Sequence, residues 1–113
     1  MGRLFKAYLP GDKVWCCQSC AAHLAYQDDV MSRNFTGKHG RAFLVSNVIN
    51  VSLGETEERS LMTGMHTVAD IYCNVCNSVL GWKYLEARDE EQKYKENKFL
   101  VEKMKIIKEK QWS

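Results

Sequence analysis

A chain of 113 residues that is 45% hydrophobic and 27% charged is the size of one globular domain with a single modest core. Its formal net charge of +2 is too small to argue by itself for a nucleic-acid partner, and no apolar run approaches the roughly 20 residues that cross a bilayer as a helix. Met1-Gly2 opens like a myristoylation site, but Lys6 stands where that motif requires Ser or Thr, so no membrane attachment is expected.

In residues 1–15, apolar Leu4, Phe5, Tyr8, Leu9, Val14 and Trp15 surround Pro10-Gly11-Asp12. This predicts two short extended pieces about a turn, the second running into Cys17-Gln18-Ser19-Cys20. A Cys-x-x-Cys turn aims two sulfurs at one ion, and the second copy, Cys73-Asn74-Val75-Cys76, completes the donor set of a structural zinc site. The other readings of such cysteines are a disulfide pair, a redox dithiol or ordinary buried thiols. The chain start carries no export signature, which argues against a disulfide framework, and one redox motif leaves the second copy unexplained. Iron in the same four-sulfur cage is the minor alternative to zinc. The expected compartment is a reducing one, the nucleus or the cytoplasm.

Cys16 is the remaining cysteine. A Cys-x3-Cys spacing would let it replace Cys17, but the matching downstream pair favours Cys17 and leaves Cys16 as a small half-buried residue. His23, three residues past Cys20, could complete a site of three cysteines and one histidine; with four well-spaced cysteines present it reads as a surface residue or a support for a ligand. The spacer between the two turns is far longer than in a zinc ribbon, so the metal joins distant parts of one domain.

Residues 27–40 are polar and end in Gly37-Lys38-His39-Gly40, which predicts a loop. Residues 41–45 and 48–53 are β-branched and aromatic runs separated by Ser46-Asn47, which predicts a hairpin, and the acidic stretch 54–58 reads as a solvated tip. Residues 59–63 and 66–72 read as strands interrupted at Gly64, the latter delivering Cys73 to the metal. In residues 79–85, alternation places Leu80, Trp82 and Tyr84 on one face, and Gly81 marks a point where something approaches the backbone closely. Residues 86–97 read as a surface loop or short helix. Residues 99–107 fit a helical stripe through Leu100, Met104 and Ile107, or a closing strand through Phe99-Leu100-Val101; the strand is preferred because it completes the sheet. Residues 108–113 are expected to fray. The sum is one domain, 1–113, mainly β and antiparallel.

Four thiolates close the metal's shell, so the zinc is expected to be structural. No His-x-Glu occurs, the single proline, Pro10, does not precede a Cys-x-x-Cys, and the spare thiol, Cys16, sits beside the ligands. No enzymatic activity is expected.

Taken together, these residues resemble the Yippee family of zinc-binding proteins. After Cys17 and Cys20 its signature is met at Gly40, Leu44, Asn50 and Gly64, then at Cys73, Cys76 and Gly81-Trp82-Lys83-Tyr84, and finally at Lys95 and Glu102. The match spans residues 17–102. The resemblance implies a β-tent, two antiparallel sheets meeting near a four-cysteine zinc, related to the ligand-binding domain of cereblon, methionine sulfoxide reductases of the B type, centromere-licensing proteins and RNA sensors.

Of the three tryptophans that line the cereblon pocket, one has its counterpart in Gly81 to Tyr84; His66 stands in place of another, and the third falls near Ser60. By this likeness His39, His66, Trp82 and Tyr84 are the candidate groove residues. The reductase likeness fails at the absent nucleophile, and Lys38, Arg41 and Lys83 are few for RNA. The resemblance implies an interaction adaptor for a protein or peptide, associated with ubiquitin ligase assemblies of the CTLH or GID type or with cell-division structures. The alternative is a nucleic-acid or small-molecule binder using the same groove.

Overall fold

The computed structural model describes residues 13–109. Strands β1 (Val14–Cys17), β2 (His23–Tyr26), β3 (Val30–Gly37), β4 (Gly40–Val45), β5 (Val51–Leu61), β6 (Gly64–Cys73), β7 (Val79–Ala87), β8 (Phe99–Glu102) and β9 (Ile106–Lys108) follow one another along the chain. They form a three-stranded sheet in the order β2-β1-β9 and a six-stranded sheet in the order β3-β4-β8-β7-β6-β5, with antiparallel pairing throughout. The mainly β architecture of two antiparallel sheets is as expected.

Central strands of the six-stranded sheet are apolar on both faces, because each face covers a different core. Phe43 and Val45 of β4 face one cluster, and the intervening Ala42 and Leu44 face another. The first cluster lies between the sheets and joins Trp15, Leu24, Phe43, Ile71, Val101 and Ile106, with Trp15 edge-on to Phe43 at 5.4 Å between ring centres. Each such burial is worth about 1.5–3 kcal/mol. The second cluster, Ala42, Leu44, Val68, Trp82, Tyr84 and Leu100, lies on the opposite face of the six-stranded sheet.

Several local expectations are corrected. Residues 30–37 are an edge strand rather than loop; its outward Arg33 and Asn34 hide the strand signal, as suits an edge open to water. The expected hairpin across Ser46-Asn47 does not form, because β4 is paired on both sides, with β3 and β8, while β5 pairs with β6. Residues 46–50 are instead a crossing, where Ser46 N–H donates to Asp29 O and Ile49 N–H to Leu24 O. The acidic stretch 54–58 lies within β5, its charges on a solvent-facing edge strand.

Leu80 does not share a face with Trp82 and Tyr84. The β6–β7 register shifts beside Gly81, and Leu80 joins the core between the sheets while Trp82 joins the other cluster. A Cβ on Gly81 would lie 1.9 Å from Leu100 O, so this glycine is required by the neighbouring strand β8.

Residues 90–95 form a short 3-10 turn, as the loop-or-helix reading allowed. The closing strand is split, β8 and β9 being separated by a 3-10 turn at Lys103–Lys105 so that the chain passes from one sheet to the other. Lys108 does not fray: it pairs with Trp15, and Glu109 N–H donates to Val14 O. The expected extended piece and turn in residues 1–12, and the fraying of 110–113, lie outside the described residues.

Candidate metal centre and groove

The two Cys-x-x-Cys segments fold into the same turn. Cys17 N–H donates to Ala22 O at 2.8 Å and Cys17 O accepts from Ala21 N–H at 2.8 Å; Cys73 N–H donates to Ser78 O at 2.8 Å and Cys73 O accepts from Asn77 N–H at 2.7 Å. The fifth residue of each turn is left-handed, Ala21 at φ 65° and Asn77 at φ 66°. Asparagine tolerates this region; alanine holds it at a cost of roughly 1–2 kcal/mol, a strain that the surrounding turn must offset.

These turns bring the sulfurs of Cys17, Cys20, Cys73 and Cys76 within 4.8 Å of one another. Cys17 Sγ is 3.6 Å from Cys76 Sγ and Cys20 Sγ is 3.5 Å from Cys73 Sγ, too far for disulfides, whose bond is about 2.05 Å. A tetrahedral ion about 2.3 Å from each sulfur sets an edge of about 3.8 Å, close to this arrangement. Burial pushes the Cys20 thiol up to about 12, whereas at Cys76 burial is outweighed by hydrogen bonds from Ser78 and the neighbouring thiols, which bring it down to about 6. The donor set fits a four-coordinate thiophilic ion.

Contacts from several elements hold the turns in place. Ser78 Oγ lies 3.2 Å from Cys76 Sγ and donates to Ser19 Oγ at 3.3 Å, bridging the turns. Gln18 N–H donates to Lys105 O. Asn50, left-handed at φ 60°, donates its side-chain amide to His23 O at 2.8 Å and accepts Asn74 N–H on its carbonyl at 2.9 Å. That signature asparagine thus fastens the second turn to β2. Cys16 and His23 stand outside the four-sulfur cluster: they form a separate group with Glu109, whose carboxylate lies 2.8 Å from His23 Nε2.

On the far face of the six-stranded sheet, a cavity of about 520 Å³ opens over Trp82 and Tyr84. It is flanked by Phe35 from β3 and Leu61 from β5, the two edge strands, and closed by Tyr94 and Lys95 of the 3-10 turn. Trp82 is both floor and core, being only 6% exposed. Arg59 lies over its ring at 5.7 Å from the ring centre, held by Glu57 and Asp70 at 2.8 Å each. The Trp82 indole N–H is buried without a hydrogen-bond partner, its ring edge-on to Tyr84 at 6.3 Å between ring centres.

His66 and His39 do not line this cavity. His66 is buried behind Tyr84, 5.3 Å between ring centres, with its Nδ1 3.0 Å from Gly64 O. His39 is exposed on the β3–β4 turn, where its backbone N–H, with that of Lys38, donates to the buried Glu102 carboxylate. The signature glutamate is therefore a turn clamp.

Arg59, Tyr94 and Lys95 belong to the groove, and sequence reasoning did not place them there. Lys95 is 2% exposed, and its Nζ sits 5.1 Å from the Phe35 ring centre, 5.4 Å from Tyr84 and 5.9 Å from Tyr94, donating to Thr63 Oγ1 at 2.8 Å. Burial lowers its pKa below the ordinary lysine range. Its place in the signature was the available signal, since a lysine in a charge-dense stretch otherwise reads as solvated.

Comparison with known proteins places this geometry in a family. The chain is 52% identical over 106 residues to a yippee-like protein of Solanum tuberosum, covering 94% of this chain and 81% of the relative. It is 45% identical over 111 residues to protein yippee-like 4 of Homo sapiens, covering 97% and 87%. The Mis18 "Yippee-like" domain matches its fold with a TM-score of 0.71 at 15% identity, over 91% of this chain and 100% of that one. A family model described as "Yippee zinc-binding/DNA-binding /Mis18, centromere assembly" matches residues 13–113, and the chain belongs to the Yippee family.

Proposed function

We propose that this chain is a zinc-stabilised protein-interaction adaptor whose docking surface is the aromatic groove over Trp82 and Tyr84. The observation that carries the reading is the position of that groove: a concave aromatic face between two edge strands, β3 and β5, each unpaired on its outer side among the described residues. A peptide can enter such a groove and find backbone partners at its rims.

Zinc is the ion proposed for Cys17, Cys20, Cys73 and Cys76. Bound there, it supplies folding energy and no open coordination position, so the protein has no turnover of its own. The family description names zinc, DNA and centromere assembly. With the resemblance drawn from the signature, this supports a role in the nucleus or cytoplasm, within a ubiquitin ligase assembly of the CTLH or GID type or on cell-division structures.

A nucleic-acid partner is the second reading, favoured by the cations Lys38, Arg59 and Lys95 around the groove. Arg59 is already neutralised by Glu57 and Asp70, which weakens it as a phosphate contact. Affinity capture with the unaltered chain and with Tyr94→Ala and Trp82→Phe decides between the readings. The adaptor reading expects a protein partner lost with both variants while metal content holds in both and the unfolding temperature holds in Tyr94→Ala. Retention of the partner by both variants, or recovery of nucleic acid whose binding falls steeply with salt, would sink it.

A further inference from the structure

The chemistry of the groove narrows its occupant. Three cations, Lys38, Arg59 and Lys95, line it, and no carboxylate does. Two of these contribute little free charge: Lys38 is exposed to water, and Arg59 is held by Glu57 and Asp70. Lys95 is different, because its ammonium is buried against three aromatic rings with Thr63 as its hydrogen-bond acceptor and no ion pair among the described residues. Aromatic faces and one hydroxyl offset only part of a buried cation's desolvation. The site therefore presents about one uncompensated positive charge, which a single carboxylate balances and a multiply charged phosphate, facing Glu57 and Asp70 nearby, does not.

Around that charge, three buried polar atoms lack partners: the donors Arg59 Nη1 and Trp82 Nε1, and the acceptor Gln92 Oε1. All three residues line the groove. A polypeptide backbone offers a carbonyl and an N–H to meet them, whereas a phosphate offers only acceptors. Phe35 of β3, Thr63 of the β5–β6 turn and Tyr84 of β7 enclose the Lys95 Nζ, so a group that reaches it has little room to continue past it. A chain terminus fits such a spot better than a segment that must continue in both directions.

Building on the groove reading above, we propose that the groove receives the C-terminal carboxylate of a partner polypeptide. The carboxylate sits at Lys95, the last side chain lies against Trp82 and Tyr84, and the preceding backbone meets Arg59 and Gln92.

The test is a titration of the 15N-labelled full chain with N-acetyl-phenylalanine, its C-terminal amide, N-acetyl-aspartyl-phenylalaninamide and phenyl phosphate, following the Trp82 indole N–H. The free acid is expected to shift that signal, with about tenfold weaker binding of the amide, as one charge-assisted hydrogen bond implies. Lys95→Met should abolish the preference for acid over amide and Lys95→Arg should keep it. If Lys95→Met does not fold, the comparison of acid with amide on the unaltered chain stands alone. Equal binding of acid and amide overturns the carboxylate assignment while leaving the groove in place. Binding of the aspartyl amide as tight as the free acid overturns the terminus, and tighter binding of phenyl phosphate overturns the peptide. No movement of Trp82 with any probe overturns the groove reading itself.

Discussion

On the face of the six-stranded sheet that meets the three-stranded one, Trp15 packs edge-on against Phe43, with Lys108 and Arg33 lying over the two rings. On the opposite face, Trp82 and Tyr84 are also buried, yet a cavity lies over them and a lysine and an arginine stand at its wall. The first face seals and the second stays open. The same residue types thus fill a core where a second sheet covers them, and floor an open cavity where only the sheet's own edge strands flank them.

The sharpest way to break this comparison is at the sulfurs. Cys73→Ser removes one of four donors, and a structural zinc contributes on the order of 10 kcal/mol to folding, so the domain should unfold; Cys16→Ser, outside the cluster, should be mild. Metal analysis and circular dichroism of the two variants check this, and the reverse pattern would move Cys16 into the ligand set.

At the groove, Trp82→Ala should cost about 3–5 kcal/mol because that ring is also core, whereas Tyr94→Ala, at a residue 55% exposed, should cost under about 0.5 kcal/mol. Equal losses in denaturant unfolding would mean that the groove wall is as structural as its floor. Gly81→Ala tests the seam between the faces: its Cβ would meet Leu100 O of β8, a backbone atom with little room to move, and about 3 kcal/mol or more should be lost. Near-normal stability would show that β7 and β8 can part.

The smallest effect concerns pH. Burial pushes the Tyr84 hydroxyl up to about 12. The folded state therefore holds this proton more tightly than the unfolded chain, whose tyrosine titrates near pH 10. Its contribution is fully present below about pH 10 and lost as pH rises toward the folded value. Tyr84→Phe should flatten that alkaline loss in unfolding curves taken across this window, and an unchanged slope would assign the loss to other groups.

The contrast also explains what the sequence revealed. Both cysteine turns were legible because two residues between cysteines is a usual spacing of metal ligands, and the chain shows it twice. Strand β3 was not, since an edge strand exposes Arg33 and Asn34 and so lacks alternation. The pairing of β4 with β8 joins residues far apart in sequence, which no local turn signal encodes, and the Leu80 face was misassigned because the irregular register at Gly81 breaks the period of two. Trp82 and Tyr84 were placed by resemblance, whereas Lys95 needed three aromatic rings from separate elements before its surroundings took shape.

The zinc proposed at Cys17, Cys20, Cys73 and Cys76 is what would fasten the sealed face. Its most direct test is to withdraw metal from the native chain with a chelator while recording released zinc and the far-ultraviolet signal of the sheets together. The account predicts one zinc per chain and loss of the sheet signal in step with its release. Sheets that persist after the zinc has left, or a purified chain that folds with no zinc or with iron, would contradict it.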